Sequence, residues 1–265
     1  MQLRINNLAL NINDTGNPNG LPVILIHGFP FSGRMWEPQV AVLQEIYRVI
    51  TYDIRGHGDS DVGDGHYSIE FFVDDLFGIM DELELSQAVI GGLSMGGYIA
   101  LRAMEREPNR FKGLVLCDTR SEADANAVKI NRANTIKAIK QNGVQVFAGD
   151  FVKKIFAKET FKSHPAVVYK IKKIIQSTSP ESICSTLLAL AARTDTTDVL
   201  GKINVPTLLV FGEFDDLTPP EIGEEIHQQI TESEFHIVPR AAHISNMENP
   251  TFFNEALLGF LARIF

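Results

Sequence analysis

A serine flanked by glycines two residues to either side, in Gly92-Leu93-Ser94-Met95-Gly96, has the spacing of a tight turn that presents a hydroxyl. The pattern is only moderately specific by itself, and its setting sharpens it. An apolar run, Ala88 to Gly91, precedes it and a helical stretch, Tyr98 to Glu105, follows, so the turn joins a strand to a helix. Absent side chains at the glycines let strand and helix meet closely, which pushes the Ser94 hydroxyl out of the sheet. The amino-terminal dipole of the following helix favours negative charge developing beside it. The chemistry implied is nucleophilic attack by Ser94; the plainer alternative is a structural serine in the same turn.

A serine hydroxyl attacks only when a base removes its proton and an acid holds that base in the right tautomer. Of seven histidines, His243 stands in Arg240-Ala241-Ala242-His243-Ile244-Ser245, between the last predicted strand and the final helix. That loop meets the carboxyl ends of the strands, where α/β sites form, so His243 is the base selected. His27, just before Gly28, suits support of its own loop. His57 lies in the next loop, and His66, His164, His227 and His236 have no comparable setting. For the acid, Gly212-Glu213-Phe214-Asp215-Asp216-Leu217-Thr218-Pro219 follows the strand Thr207 to Phe211. Asp215 is the first choice; Asp216 and Asp118, the latter after the strand Leu114 to Cys117, are its rivals. A tetrahedral intermediate also needs two donors aimed at its oxyanion, each worth about 2.7–4 kcal/mol. The backbone N–H groups of Met95 and of Phe29, in His27-Gly28-Phe29-Pro30, are the candidates.

The elements that must position these groups alternate. Short apolar runs at Val23 to Ile26, Tyr47 to Asp53, Ala88 to Gly92, Leu114 to Cys117, Thr207 to Phe211 and Phe235 to Val238 are separated by amphipathic stretches. This is the pattern of parallel strands joined by crossover helices, covered on both faces. Ile69, Phe72, Val73, Leu76, Ile79, Met80 and Leu83 recur at helical spacing, with Ser68 placed to cap them. Helices also begin after Pro219-Pro220 and at Asn249-Pro250. Residues 1 to 14 alternate polar and apolar, and predict an antiparallel hairpin at the sheet edge. From about Ser121 to Leu200 no strand is predicted, and apolar residues recur at helical spacing through Ile136, Ile139, Val152, Ile155, Ile171, Ile174, Ile183, Leu187 and Leu190.

That helical stretch is basic. Residues 121 to 199 hold twelve Lys/Arg against seven Asp/Glu, a net +5, while the rest of the chain carries −14. A solvated helical surface attracted to an acidic body accounts for this; a lid that favours substrates with an acidic or phosphate-bearing tail is the sharper alternative. The 265 residues carry a net −9 and a pI near 5.3, which disfavours partners such as nucleic acid and anionic lipid. A small uncharged substrate fits better. The start of the chain lacks a basic region followed by an apolar run, no stretch reaches the ~18 apolar residues of a membrane helix, and Cys117 and Cys184 suit reduced thiols. One domain in the cytoplasm is therefore expected, and the sequence sets no oligomeric state.

Five ordered motifs carry a resemblance: His27-Gly28-Phe29-Pro30, Asp53-Ile54-Arg55-Gly56-His57-Gly58-Asp59-Ser60, Gly92-Leu93-Ser94-Met95-Gly96-Gly97, Gly212-Glu213-Phe214-Asp215, and Ala242-His243 with Glu248-Asn249-Pro250. Together they resemble the α/β-hydrolase fold family, specifically its small esterase, perhydrolase and enol-lactonase-like serine hydrolases with a helical cap. The resemblance implies an α/β fold in which a mostly parallel sheet is flanked by helices, with residues 1–120 and 201–265 as core and 121–200 as an inserted helical cap. The chain order Ser94, Asp215, His243 is the order expected for it. It selects Asp215, four residues before Pro219, over Asp216, and makes Asp53 and Arg55 scaffold rather than catalytic groups. Aspartate would stand at position 94 in the haloalkane dehalogenases and epoxide hydrolases of this fold. The activity implied is cleavage of a small carboxylic ester or related acyl substrate through an acyl-enzyme, with no cofactor and no metal. Perhydrolase, lactonase or carbon–carbon hydrolase chemistry on the same triad, or a ligand-binding receptor with residual hydrolysis, are the alternatives. Substrate-binding residues remain unassigned, with Trp36, Phe29, Phe31 and Met95 as candidates for pocket or ordinary core.

Overall fold

Central strands buried along nearly their whole length build one sheet with two covered faces. The computed structural model describes residues 1–264; Phe265, the last residue of the expected core segment, lies outside them. The strands are β1 (Gln2–Ile5), β2 (Leu8–Gly16), β3 (Pro22–Ile26), β4 (Arg48–Tyr52), β5 (Ala88–Leu93), β6 (Phe111–Cys117), β7 (Thr207–Gly212) and β8 (Ser233–Val238). Their order in the sheet is β1-β2-β4-β3-β5-β6-β7-β8. Strands β3 to β8 run parallel, and β1 and β2 form an antiparallel hairpin at one edge. That hairpin extends to Gly16 rather than ending at residue 14, because β2 continues pairing along β4 as far as Arg48.

Ile24 and Ile26 of β3 pack with one core, Val23 and Leu25 with the other, as the period of two requires. The first core holds helices α2 (Ile69–Glu82) and α3 (Met95–Arg106); the second holds α1 (Glu37–Leu43) and α12 (Pro250–Ile264). Between β6 and β7 the described residues form helices and no strand: α4 (Asn126–Asn142), α5 (Val144–Ile155), α6 (Thr160–Ser163), α7 (Pro165–Ser177), α8 (Pro180–Ala191) and α9 (Thr197–Leu200). Helix α4 packs on α5 and α8, and α5 packs on α7. The remaining helices are α10 (Pro220–His227), which covers β7 and β8, and the single turn α11 (Ser245–Glu248). Among the described residues no helix is long and apolar enough to cross a membrane.

Ser68 accepts a hydrogen bond from the Phe71 N–H and so caps α2. Strand β4 is shorter than the apolar run Tyr47 to Asp53, since the buried Asp53 carboxylate is used off the sheet: it accepts from the Gly33 N–H (2.8 Å), the Asn11 side-chain amide (2.9 Å) and the Asp59 N–H (2.9 Å). Arg55 forms a buried two-point ion pair with Asp75 of α2, both bonds 2.6 Å. Both residues therefore brace the segment Asp53 to Ser60 against its neighbours.

Candidate active site

Ser94 sits where β5 hands over to α3, with φ +53° and ψ −111°, a strained combination for a residue with a side chain. The glycines around it are required by contact. A Cβ at Gly92 would lie 2.1 Å from the Gly96 backbone, and one at Gly96 would lie 2.3 Å from the Ile26 carbonyl oxygen. The Ser94 N–H donates to the Cys117 carbonyl (2.9 Å), and the Thr119 hydroxyl donates to the Ser94 carbonyl (2.8 Å), so β6 and the loop after it hold the turn from one side.

His243 Nε2 lies 2.9 Å from Ser94 Oγ and its Nδ1 lies 2.7 Å from Asp215 Oδ2. With Nδ1 protonated, the ring donates to the carboxylate and accepts from the hydroxyl. Asp215 is buried and held at both oxygens: Oδ1 accepts from the Leu217 N–H (2.8 Å) and Thr218 N–H (3.1 Å), and Oδ2 also accepts from the Thr218 hydroxyl (2.6 Å). Burial pushes its acidity down, but the interaction with the His243 ring and these hydrogen bonds outweigh that and hold the carboxyl below the usual range. Thr218 was not singled out by the sequence; Asp215 accepting from the backbone N–H two residues on forms an Asx-turn, which brings the Thr218 hydroxyl back onto the same carboxylate. Of the rival acids, Asp216 is exposed and forms no hydrogen bond with His243. Asp118 is buried and turned away: its oxygens accept from the Gly212 N–H (2.7 Å) and the Ser245 hydroxyl (2.5 Å). Burial and the neighbouring Asp215 charge raise its pKa well above normal.

Glu248 also escaped a role in the sequence. Its Oε1 accepts from the N–H of Ala242, next to His243 (2.7 Å), and its Oε2 accepts from the Ala157 N–H (2.9 Å) and the Thr160 hydroxyl (2.5 Å). One buried carboxylate thus ties the histidine loop to the segment between α5 and α6. Burial raises its pKa, against these three hydrogen bonds.

Ser94 and His243 open into a cavity of about 500 Å³. Phe29 and Met95 line it, as do Phe147 and Phe151 of α5 and Leu187 and Leu190 of α8. Phe29 packs against Phe147 and Phe151 with ring centroids 6.4 and 6.0 Å apart. Trp36 and Phe31, offered by the sequence as pocket or core, are fully buried in the second core, Trp36 against Phe253. Trp36 falls on the sheet face opposite α3, and Phe31 packs behind the cavity wall against Phe151, ring centroids 6.4 Å apart, which position in the chain alone does not reveal. The Phe29 N–H forms no intramolecular hydrogen bond among the described residues, and the Met95 N–H opens α3, where no preceding turn supplies an acceptor. His27 supports the loop: its Nε2 accepts from the Ile54 N–H (3.0 Å) and its Nδ1 lies 2.8 Å from the Gly28 carbonyl.

The family model described as alpha/beta hydrolase fold matches residues 22–250. The chain is similar to 3-oxoadipate enol-lactonase 2 of Acinetobacter baylyi, 29% identical over 98% of this chain and 96% of that protein. Among solved structures, a thermophilic esterase from Thermogutta terrifontis superposes with a TM-score of 0.94 at 36% identity, covering 100% of this chain and 98% of that one. A bromoperoxidase from Bacillus anthracis superposes with a TM-score of 0.89 at 30% identity, covering 99% of each chain.

Proposed function

The chain belongs to the α/β-hydrolase fold family, and from that premise we propose that it is a cytoplasmic serine hydrolase acting on a small carboxylic ester or related acyl compound. The observation that carries this reading is the unbroken run of hydrogen bonds from Ser94 through His243 to Asp215, with Ser94 and His243 on the wall of one cavity. In the reading, Ser94 Oγ attacks the acyl carbonyl carbon while His243 Nε2 takes its proton, and Asp215 stabilises the resulting imidazolium. The Met95 and Phe29 N–H groups receive the oxyanion. His243 returns the proton to the departing alkoxide, leaving an acyl-enzyme. Water then loses a proton to His243, attacks the acyl carbon and releases the acid, and the proton returns to Ser94. No step calls on a cofactor. Residues 121–200 act as the cap over a core of 1–120 and 201–265, supported by the cavity wall drawn from both.

A lactone is an internal ester, so the same steps open its ring, and the similarity to an enol-lactonase favours that second reading. Stopped-flow with p-nitrophenyl acetate tests the common mechanism. A burst followed by steady turnover is expected, and Ser94→Ala should lower kcat/KM by about 10³-fold or more. A burst without turnover would indicate a receptor; full activity in Ser94→Ala would sink the nucleophile assignment.

A further inference from the structure

The cavity wall carries charge that the triad does not use. Asp124 is shared by two arginines, Arg132 and Arg193, and Asp150 is paired with Lys153. Two wall cations, Arg120 and Lys154, pair with no carboxylate among the described residues, although exposed Asp216 lies on the same wall. Lys154 lies on the exposed face of α5 and forms no hydrogen bond among the described residues, whereas Arg120 is anchored. It is half-buried on the loop after β6, one residue past the threonine that holds Ser94. Its Nη2 donates to the Leu217 carbonyl (2.7 Å), next to Thr218, whose hydroxyl touches both Asp215 and His243. One of five guanidinium N–H donors is thus used to hold the group, and the planar fork otherwise lacks a partner on the cavity wall it shares with the nucleophile.

A fixed guanidinium matches a carboxylate by paired N–H···O bonds, which a mobile ammonium does not. The apolar stretch of wall formed by Phe29, Phe147 and Phe151 suits the carbon chain joining that carboxylate to the reacting carbonyl. From this geometry we infer that Arg120 binds a carboxylate borne by the acyl substrate, so that the preferred substrates are monoesters or lactones derived from dicarboxylic acids. The net +5 of residues 121 to 199 adds long-range attraction for such anions, which the −14 elsewhere would repel. The inference rests on the hydrolase reading of the same site.

The test compares p-nitrophenyl hemiglutarate with p-nitrophenyl valerate, close in length but uncharged, on the wild-type protein, R120Q and R120K. The wild type should favour the hemiglutarate, the preference shrinking at high salt. R120Q should reduce the hemiglutarate-to-valerate ratio of kcat/KM by about tenfold or more, chiefly through KM, with R120K between them. Calorimetric titration with free glutarate should show binding to the wild type and its loss in R120Q, a readout independent of turnover. A ratio unchanged in R120Q, or both esters weakened alike because Arg120 only braces the Leu217 loop, overturns the inference. If neither ester is hydrolysed the hydrolase reading fails, while the glutarate titration still decides Arg120. Should R120Q not fold, R120K decides between fork and bare charge.

Discussion

Asp215 and Asp216 are the same chemical group one residue apart, and their surroundings differ in every respect that matters. Asp215 is buried, receives hydrogen bonds at both oxygens and contacts the His243 ring, while Asp216 faces solvent. Replacing Asp215 by Asn leaves the shape but presents an amide to Nδ1, which favours the tautomer that cannot accept from Ser94. Asp215→Asn is expected to lower kcat by about 10³–10⁴-fold, and Asp216→Asn by less than about threefold. Ester hydrolysis by both purified variants checks this, and comparable losses would remove the distinction. The same reasoning explains why sequence could nominate Asp118 as a rival: it too ends a parallel strand. Its carboxylate instead links the Gly212 N–H, three residues before Asp215, to Ser245, two residues after His243.

Single elements are joined here by few groups. Glu248 closes α11 and reaches across to the turn between α5 and α6, so the loop bearing His243 and the helical segment over the cavity share one carboxylate. Removing it leaves three buried donors unsatisfied, at about 1–3 kcal/mol for each lost partner. Glu248→Ala should therefore lower Tm by several degrees and reduce kcat more than Asp216→Asn does, because the His243 loop loses its tie. Glu248→Gln keeps the volume but points an amide donor at donors on one side, and should fall between wild type and alanine. Differential scanning calorimetry with parallel kinetics tests this; unchanged Tm and kcat in both variants would show the tie to be idle.

At the scale of the whole molecule, two buried imidazoles under the Phe29 loop set an acid limit. His27 and His57 pack with ring centroids 5.3 Å apart and planes tilted by 59°, and burial holds their pKa values down to about 4 and about 3. Both values lie below that of an unfolded histidine, about 6.5, so the unfolded chain takes up protons first as pH falls. Their contribution is intact above pH 6.5 and is lost progressively as pH falls from about 6.5 to the folded values, about 4 for His27 and about 3 for His57, on the order of 3 kcal/mol for His27. Denaturant midpoints should decline steadily over that interval, and a flat profile would contradict the buried, neutral assignment. Much of the architecture was legible in sequence for a related reason: burial of both sheet faces demands unbroken apolar runs, and the turn at Ser94 demands glycines whatever surrounds it. Ser94, His243 and Asp215 could each be nominated from loop position, since strand ends in a parallel sheet share one edge. What sequence left open depended on direction and distance between residues far apart in the chain. Trp36 went to the opposite face and Phe31 behind the cavity wall, Glu248 found partners about ninety residues away, and Arg120 came to line the cavity without a carboxylate partner. Local rules of turn, period and charge determined the fold class and the candidate triad. Only the tertiary structure, by setting which side chains meet across separate loops, decided which acid touches the base and which cation is left for a ligand.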